Sequence, residues 1–302
     1  MSDWPAEVRA LGERRAAARA ARDFEAADAL RLEIAAAGWT VIDEATGWRL
    51  EPMVAAPPEG LPASAVRSVL DEEPTHDVSL QWVVECWPQD VARAIEGFRA
   101  TAGGRRLQFV VTEVTPGDPA GWEPDVEVIR LDEGTGWAAA RNAGLRRSRG
   151  RLVLVLDGSI EPDGDVFGPL EAALADPSVG ICGPFGVVTH DLREFDAAPG
   201  AGECDAIEGY LMAFRREVLT LAGMFDEKFR WYRTADIDWS FRVKDARLRT
   251  VVVPVPVTKH RHRMWFETPP AQRAAWSKRN FYRFLDRWRD RWDLVLSGEP
   301  DA

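Results

Sequence analysis

Along the first fifty residues, apolar positions recur at helical spacing. Residues 13–37 are rich in Ala, Arg, Glu and Leu, all good helix formers, and a break near Asp23-Phe24 divides them into two helices. Phe24, Ala27, Leu30 and Ile34 share one face, which predicts a single buried stripe. Gly38 is a natural stop. Residues 39–42 and 47–50 then read as a short hairpin. Five prolines between residues 51 and 75 mark a linker, with one helical turn predicted over 64–70. From Asp77 onward the pattern alternates. Strands are predicted at 78–85, 107–112, 126–131, 152–156, 179–182, 209–214 and 248–253. Helices are predicted at 89–101, 137–148, 165–174, 216–222 and 234–245. The run 152–156 is apolar without interruption, as in strands buried on both faces. Such alternation predicts an α/β domain with a mostly parallel sheet flanked by helices. The expected organisation is a helical hairpin module at 1–53, a linker at 54–76, the α/β domain at 77–265, and a C-terminal helix and tail at 266–302.

Composition narrows the class of protein. The chain has 302 residues, a formal net charge of −11 and 46% hydrophobic residues, the profile of a globular chain with no global basic footprint for nucleic acid. Three cysteines at long spacings argue against a disulfide framework or a zinc motif. The N-terminus has no basic start followed by an apolar stretch, and no apolar run approaches the roughly 20 residues needed to span a bilayer. A cytoplasmic location is expected. Only the C-terminal helix departs from the acidic balance. Between Arg261 and Arg291 nine basic and three acidic residues are interleaved with Trp276, Phe281, Phe284, Trp288 and other apolar side chains. Such a helix docks on its own domain by its aromatic side, or makes a peripheral membrane or protein contact.

In open α/β sheets, ligands bind beyond the carboxyl ends of the strands. Asp157 follows the buried strand 152–156 directly, where a carboxylate stays accessible to a ligand, and Gly158 lets backbone approach closely. An Asp that merely begins a turn is the alternative. The acids from 157 to 165 do not make a calcium loop, because Pro162 stands where that loop needs Gly; Asp163 and Asp165 read as caps of the next helix. Thr234 is placed to cap a helix, which sets Asp236 and Asp238 in its first turn. There either acid could act as an ionised base or simply complement the helix dipole. His260 and His262 follow a strand exit, and since alternate residues of an extended segment point apart, one of them could complete a metal site begun by a carboxylate.

Five words in order carry a resemblance: Thr135-Gly-Trp-Ala-Ala-Ala-Arg-Asn-Ala-Gly-Leu145, Leu152-Val-Leu-Val-Leu-Asp-Gly-Ser-Ile-Glu-Pro162, Gly209-Tyr-Leu-Met-Ala-Phe-Arg-Arg-Glu-Val218, Gly223-Met-Phe-Asp-Glu-Lys-Phe229 and Ala235-Asp-Ile-Asp-Trp-Ser-Phe-Arg242, with Val253-Pro-Val-Pro and His260 beyond. Over residues 77–265 the chain resembles the family 2 glycosyltransferases, whose fold is GT-A, Rossmann-like. The resemblance implies transfer of a sugar from a nucleotide-sugar donor to an acceptor hydroxyl, with Mg²⁺ or Mn²⁺ on the diphosphate. It implies Asp236 as the catalytic base, a metal set of Asp157, Ser159 and His260, and a donor site that includes Trp87, Glu113, Arg141, Asn142 and Asp157. The chain departs from the family pattern in four places, one being Cys86-Trp87 where Tyr-Asn usually follows the first strand, with Trp87 able to stack on a base. Ser159 replaces the second acid of an Asp-x-Asp motif, Thr112-Glu113 stands where an Asp usually grips the donor base, and Ala235 replaces a common Glu. These departures support the alternative of a catalytically degenerate nucleotide- or partner-binding protein.

The N-terminal words Arg14-Arg-Ala-Ala-Ala-Arg19, Asp23-Phe-Glu-Ala-Ala-Asp-Ala-Leu-Arg31 and Thr46-Gly-Trp-Arg49 resemble the C-terminal end of cysteinyl-tRNA synthetases, a region near tRNA. Residues 1–53 hold seven Arg against ten acids, a poor surface for RNA, so a packing or protein-interaction hairpin is the favoured reading over a nucleic-acid partner.

Overall fold

The computed structural model describes residues 4–21, 23–37, 39–44, 47–52, 60–114 and 121–298. The chain divides into two compact units, Met1–Pro58 and Glu59–Ala302.

The first unit holds α1 (Ala6–Ala20), α2 (Phe24–Ala36) and an antiparallel pair, β1 (Trp39–Glu44) with β2 (Gly47–Pro52). Its core is Val8, Ala27, Leu30, Ile34, Val41 and Leu50. Phe24, expected in the buried stripe, is instead 61% exposed, because it is the first residue of α2 and lies beyond the core that Ala27 begins. Gly12 lets the Trp48 ring lie against α1; a Cβ there would come within 2.3 Å of it. Arg15 is buried and donates two hydrogen bonds to Asp43, at 2.8 and 2.9 Å, with Arg19 joining the same carboxylate. The Arg15 bonds hold the Asp43 carboxyl down to about 2.

In the second unit the proline-rich segment is anchored from Gly60 onward. Leu61 bridges to Leu131, Val66 and Val69 are buried, and the predicted helical turn is a 3₁₀ turn over Ala63–Ala65. A Cβ on Gly60 would meet the Leu131 carbonyl at 2.2 Å, so this close approach requires glycine. The elements that follow are β3 (His76–Val84), α3 (Pro88–Ala100), β4 (Leu107–Glu113), β5 (Val126–Arg130), α4 (Trp137–Arg146) and β6 (Gly150–Leu156). Then come β7 (Ile160–Pro162), α5 (Phe167–Leu174), β8 (Val179–Gly183), β9 (Gly186–Val188), β10 (Asp196–Ala197), β11 (Gly202–Glu203), β12 (Ala206–Ile207) and β13 (Leu211–Arg215). Last are α6 (Val218–Leu221), α7 (Ala235–Asp245), β14 (Arg249–Val252), β15 (Val257–Lys259), α8 (Arg263–Glu267) and α9 (Pro270–Trp288).

Eight of these strands form the central sheet, in the order β11-β14-β8-β13-β6-β3-β4-β5. The pairs β3–β4, β3–β6, β4–β5 and β8–β14 are parallel, whereas β13 runs antiparallel to both neighbours. The unbroken apolar run of β6 is explained by its position. Leu154 and Leu156 pack toward α3 and α5, Val153 and Val155 pack toward α7, and successive residues face opposite sides. The α4 face of β3 carries polar side chains whose donors are engaged, while Gln81 Oε1 is buried without a hydrogen-bond partner. Ser79 Oγ donates to Gln108 (2.6 Å) and Gln81 Nε2 donates to the Gly144 carbonyl (2.6 Å). A Cβ on Gly144 would stand 2.8 Å from Thr112 Oγ1, so α4 reaches the sheet only through this glycine.

The basic α9 docks by its aromatic side. Phe284 and Trp288 are buried against Phe241 of α7. Trp288 Nε1 donates to Asp238 (2.9 Å), Arg287 pairs with the same carboxylate, and Asn280 Nδ2 donates to the Trp231 and Arg233 carbonyls. Among the described residues no helix is long and apolar enough to cross a membrane.

Candidate active site

A cavity of about 1260 Å³ opens at the carboxyl ends of β3 and β6. Its walls come from five further places: α4, β9 with the segment after it to Phe195, the 208–210 segment entering β13, the entry and first turn of α7, and the chain from Lys259 through α8 to α9. Asp157 and Asp236, 79 positions apart, line it together.

Asp157 is set by the pairing of β6 with β13, since its N–H donates to the Tyr210 carbonyl (3.0 Å). Its Oδ1 accepts from Ser159 N (2.8 Å) and from the Ser159 hydroxyl, and its Oδ2 faces His262 Nε2 at 3.1 Å. Burial works against its charge, but the bonds from His262 and Ser159 prevail and hold the carboxyl below its ordinary value. Asp236 is held differently. Thr234 was expected to cap α7 through its side chain; it makes no such bond, and it sits instead in a left-handed conformation (φ 72°) that turns the chain into the helix. Asp236 Oδ2 accepts from Gly209 N (2.7 Å) and Oδ1 from Ile237 N (3.0 Å). Burial nonetheless pushes its carboxyl up, and the neighbouring Glu208 is pushed up for the same reason.

The two histidines part company, as alternate residues of an extended segment do. His260 lines the cavity, but its Nε2 pairs with Glu161 at 2.7 Å. His262 is buried between the rings of Tyr210 and Tyr232 and presents Nε2 to Asp157; its Nδ1 is buried without a hydrogen-bond partner. The structure therefore brings His262, and not the expected His260, to Asp157. Ser159 is likewise turned away from the metal role expected of it. Its hydroxyl is spent on Asp157, and it does not line the cavity.

The expected donor residues are scattered. Arg141 lines the cavity yet is 3% exposed; it donates to the Gln81 and Leu156 carbonyls (2.8 and 3.1 Å), and burial lowers it to about 10. It clamps β3 to the end of β6. Asn142 is buried and exchanges hydrogen bonds with the backbone of Phe225. Glu113 is buried under Trp122 Nε1 (2.6 Å) and Arg130 (3.0 Å). Trp87 holds a left-handed turn (φ 57°) ahead of α3 and, like Asn142 and Glu113, does not line the cavity. Sequence reasoning passed over Glu208, Tyr210, Tyr232 and Trp265, all of which do. Tyr210 was within the quoted word Gly209–Val218, and its place just ahead of a strand was the available signal.

Residues 110–238 match the family described as Glycosyl transferase family 2. This span is a family 2 glycosyltransferase domain. The glycosyltransferase domain so defined contains Asp157 and Asp236, while His262 lies past its end. Among solved structures the chain is similar to GalNAc-T7, crystallised with UDP, GalNAc and Mn²⁺, at 15% identity and a TM-score of 0.57, covering 72% of this chain and 49% of that one. It is also similar to the mannosyltransferase PcManGT of Pyrobaculum calidifontis in complex with GDP-Man and Mn²⁺, at 21% identity and a TM-score of 0.48, covering 64% of this chain and 61% of that one. The fold is GT-A, with a large, mostly parallel sheet flanked by helices. A separate similarity, 62% identity over 51 residues, is to the cysteine–tRNA ligase of Opitutus terrae; it takes in 17% of this chain and 11% of the ligase. The chain thus spans half or less of the lengths of the ligase and of GalNAc-T7.

Glu85, at the end of β3, has a carboxyl raised to about 7 by burial and by the Asp157 charge, against an ordinary value of 4.5. Folding therefore retains a proton that the unfolded chain releases above pH 4.5, and stability falls as pH rises from 4.5 to 7 and levels off beyond. Glu85→Gln is expected to stabilise the protein by about 1–3 kcal/mol at pH 8 and by almost nothing at pH 4. Thermal unfolding at the two pH values checks this, and an equal gain at both would dissociate the effect from titration.

Proposed function

We propose that the protein transfers a sugar from a nucleotide-diphosphate donor to an acceptor hydroxyl, with Asp236 as the base. The observation that carries this reading is the convergence of Asp157 and Asp236 on one cavity at the carboxyl edge of the sheet, both within the family match. The Asp236 carboxylate is oriented by two backbone N–H groups, is raised by burial, and is open to the cavity, which suits a group that must take a proton from a hydroxyl.

The residues fit a divalent cation. Among the described residues no cluster of three or more His, Cys, Asp or Glu side chains could enclose a metal by itself. Ions such as Mg²⁺, however, are held by one or two protein groups plus substrate phosphates and water. Asp157 Oδ2 and His262 Nε2 stand 3.1 Å apart, close to the spacing of neighbouring ligands about 2.1 Å from an octahedral ion. Asp157 and His262 would hold it, with Ser159 fixing the Asp157 carboxylate. When bound, the cation offsets charge on the leaving diphosphate. Arg141 ties β3 to the end of β6 beneath, and Tyr210 and Tyr232 meet the His262 ring in T-shaped contacts.

A thermal-shift panel of UDP-, GDP- and dTDP-sugars, each with Mn²⁺ and with EDTA, tests the reading. One nucleotide sugar is expected to stabilise the protein in Mn²⁺ and to lose that effect in EDTA. No response to any donor would favour a catalytically degenerate, partner-binding protein.

A further inference from the structure

Resting on the glycosyltransferase reading above, we propose that the acceptor is anionic, carrying a phosphate or carboxylate beside a flat carbon face, and that Arg193 and Lys278 receive its charge. The formal net charge of the chain is −11, yet the mouth of the cavity carries Arg193, Arg233, Lys259, Arg261 and Lys278. Three of these five are closely engaged, whereas Lys278 stands 6.0 Å from the Tyr282 ring centroid and the Arg193 charge reaches Asp191 without pairing with it. The Lys259 ammonium lies on the Tyr210 ring, 3.3 Å from its centroid; Arg261 stands 3.6 Å from Glu267; and Arg233 covers the Trp265 ring at 4.8 Å, where its charge also reaches Asp236 and Glu208. Arg193 and Lys278 are exposed, and among the described residues no carboxylate lies within ion-pair distance of either. The carboxylates lining the cavity, Asp157, Glu208 and Asp236, are half-buried, and the five lining cations outnumber them.

The two cations line one cavity from two separate segments of the chain. Arg193 lies in the segment between β9 and β10, and Lys278 lies on α9. Those segments are fastened together where Phe195 packs on Phe284, with ring centroids 5.7 Å apart. The same cavity is lined by aromatic rings suited to a sugar or other flat ring. Phe266 and Tyr282 are each 53% exposed, with Arg261 over the first ring at 4.5 Å and Lys278 over the second at 6.0 Å, and Trp265 is braced by Arg273, whose guanidinium lies 4.5 Å from the ring and donates to the Trp265 carbonyl. Guanidinium and ammonium groups beside open aromatic faces recognise a ligand that has both an anion and a flat carbon surface. Among the described residues neither Arg193 nor Lys278 is in contact with Asp157 or His262, and UDP binding by the double variant separates a donor role from an acceptor role.

The test compares fluorescence anisotropy of 4-methylumbelliferyl β-glucoside and β-glucuronide on the full chain, a pair differing only in a neutral or anionic group on the sugar. 4-Methylumbelliferyl phosphate separates a phosphate from a carboxylate source. The glucuronide or the phosphate is expected to bind about tenfold more tightly than the glucoside at low salt, and the preference should disappear near 0.5 M salt. Arg193→Ala with Lys278→Ala should abolish the preference, and Arg193→Lys should retain most of it. Equal binding of all probes, binding of none, or a preference that survives the double substitution would overturn the proposal. So would a double variant that loses affinity for UDP with Mn²⁺, since those cations would then serve the donor. UDP binding by the unaltered chain is measured alongside. If it is absent while the anion preference stands, the glycosyltransferase reading fails and the anion site survives.

Discussion

Replacing Asp236 with Asn is expected to lower kcat by about 10²–10⁴-fold, the usual contribution of a positioned general base. The side chain keeps its shape, so donor affinity should stay within about twofold. The pH profile gives the sharper reading. Asp236 acts only when ionised, and burial raises its carboxyl above the ordinary value, so the rate should fall as pH drops through that raised value. In Asp236→Asn this acid limb should vanish. The substitution has a structural cost that must be measured separately. Both carboxylate oxygens accept backbone N–H groups, from Gly209 and Ile237, and an amide sets a donor against one of them. About 1–3 kcal/mol of stability is at stake, which thermal unfolding reports. A folded variant with unchanged turnover would remove Asp236 from the base role.

The second large effect is expected at Asp157. Asp157→Ala should abolish the Mn²⁺ dependence of donor binding and lower activity by about 10³-fold, since stabilisation of the leaving group by a cation is worth several kcal/mol. In EDTA the variant and the parent should bind donor alike. The two histidines then provide an internal control. His262→Ala should weaken the Mn²⁺ response by about 10–100-fold, because its Nε2 faces Asp157, whereas His260→Ala should leave it nearly intact, because that ring is spent on Glu161. Titration of Mn²⁺ into each variant in the presence of the stabilising donor reads this out. The reverse ranking of the two histidines would restore the assignment that the family resemblance implied.

What the sequence made legible was local. The apolar run 152–156 announced a strand buried on both faces, and the acid after it could be placed at a strand end. Asp236 could be placed in the first turn of a helix. Features decided by partners far along the chain were not legible. Whether His260 or His262 meets Asp157 depends on which way an extended segment enters the cavity, and alternation alone makes the two equivalent. Ser159 read as a weak metal ligand because its position was known and its rotamer was not; its hydroxyl turns back to Asp157. Strand 209–214 was visible as extended, but its antiparallel direction between β6 and β8 follows from a crossover that no local pattern encodes. Glu113 and Asn142 looked like donor contacts by position, and their burial reveals them as internal braces. Prolines suggested a free linker up to residue 76, but a few apolar side chains, Val66 and Val69 among them, tie its second half down.

The grip of α9 on Asp238 has a practical corollary. The recognisable family span closes at residue 238, the very residue whose carboxylate is satisfied by Arg287 and Trp288 some fifty positions later. It also opens within β4, after the strand that pairs with both β4 and β6. Excising the segment at its homology borders would remove that inner strand, cut α7 after its first turn with Phe241 on the far side, and deprive Asp238 of its partners. The unit that evolution copies as text is smaller than the unit that folds, and expression boundaries belong outside both ends of it.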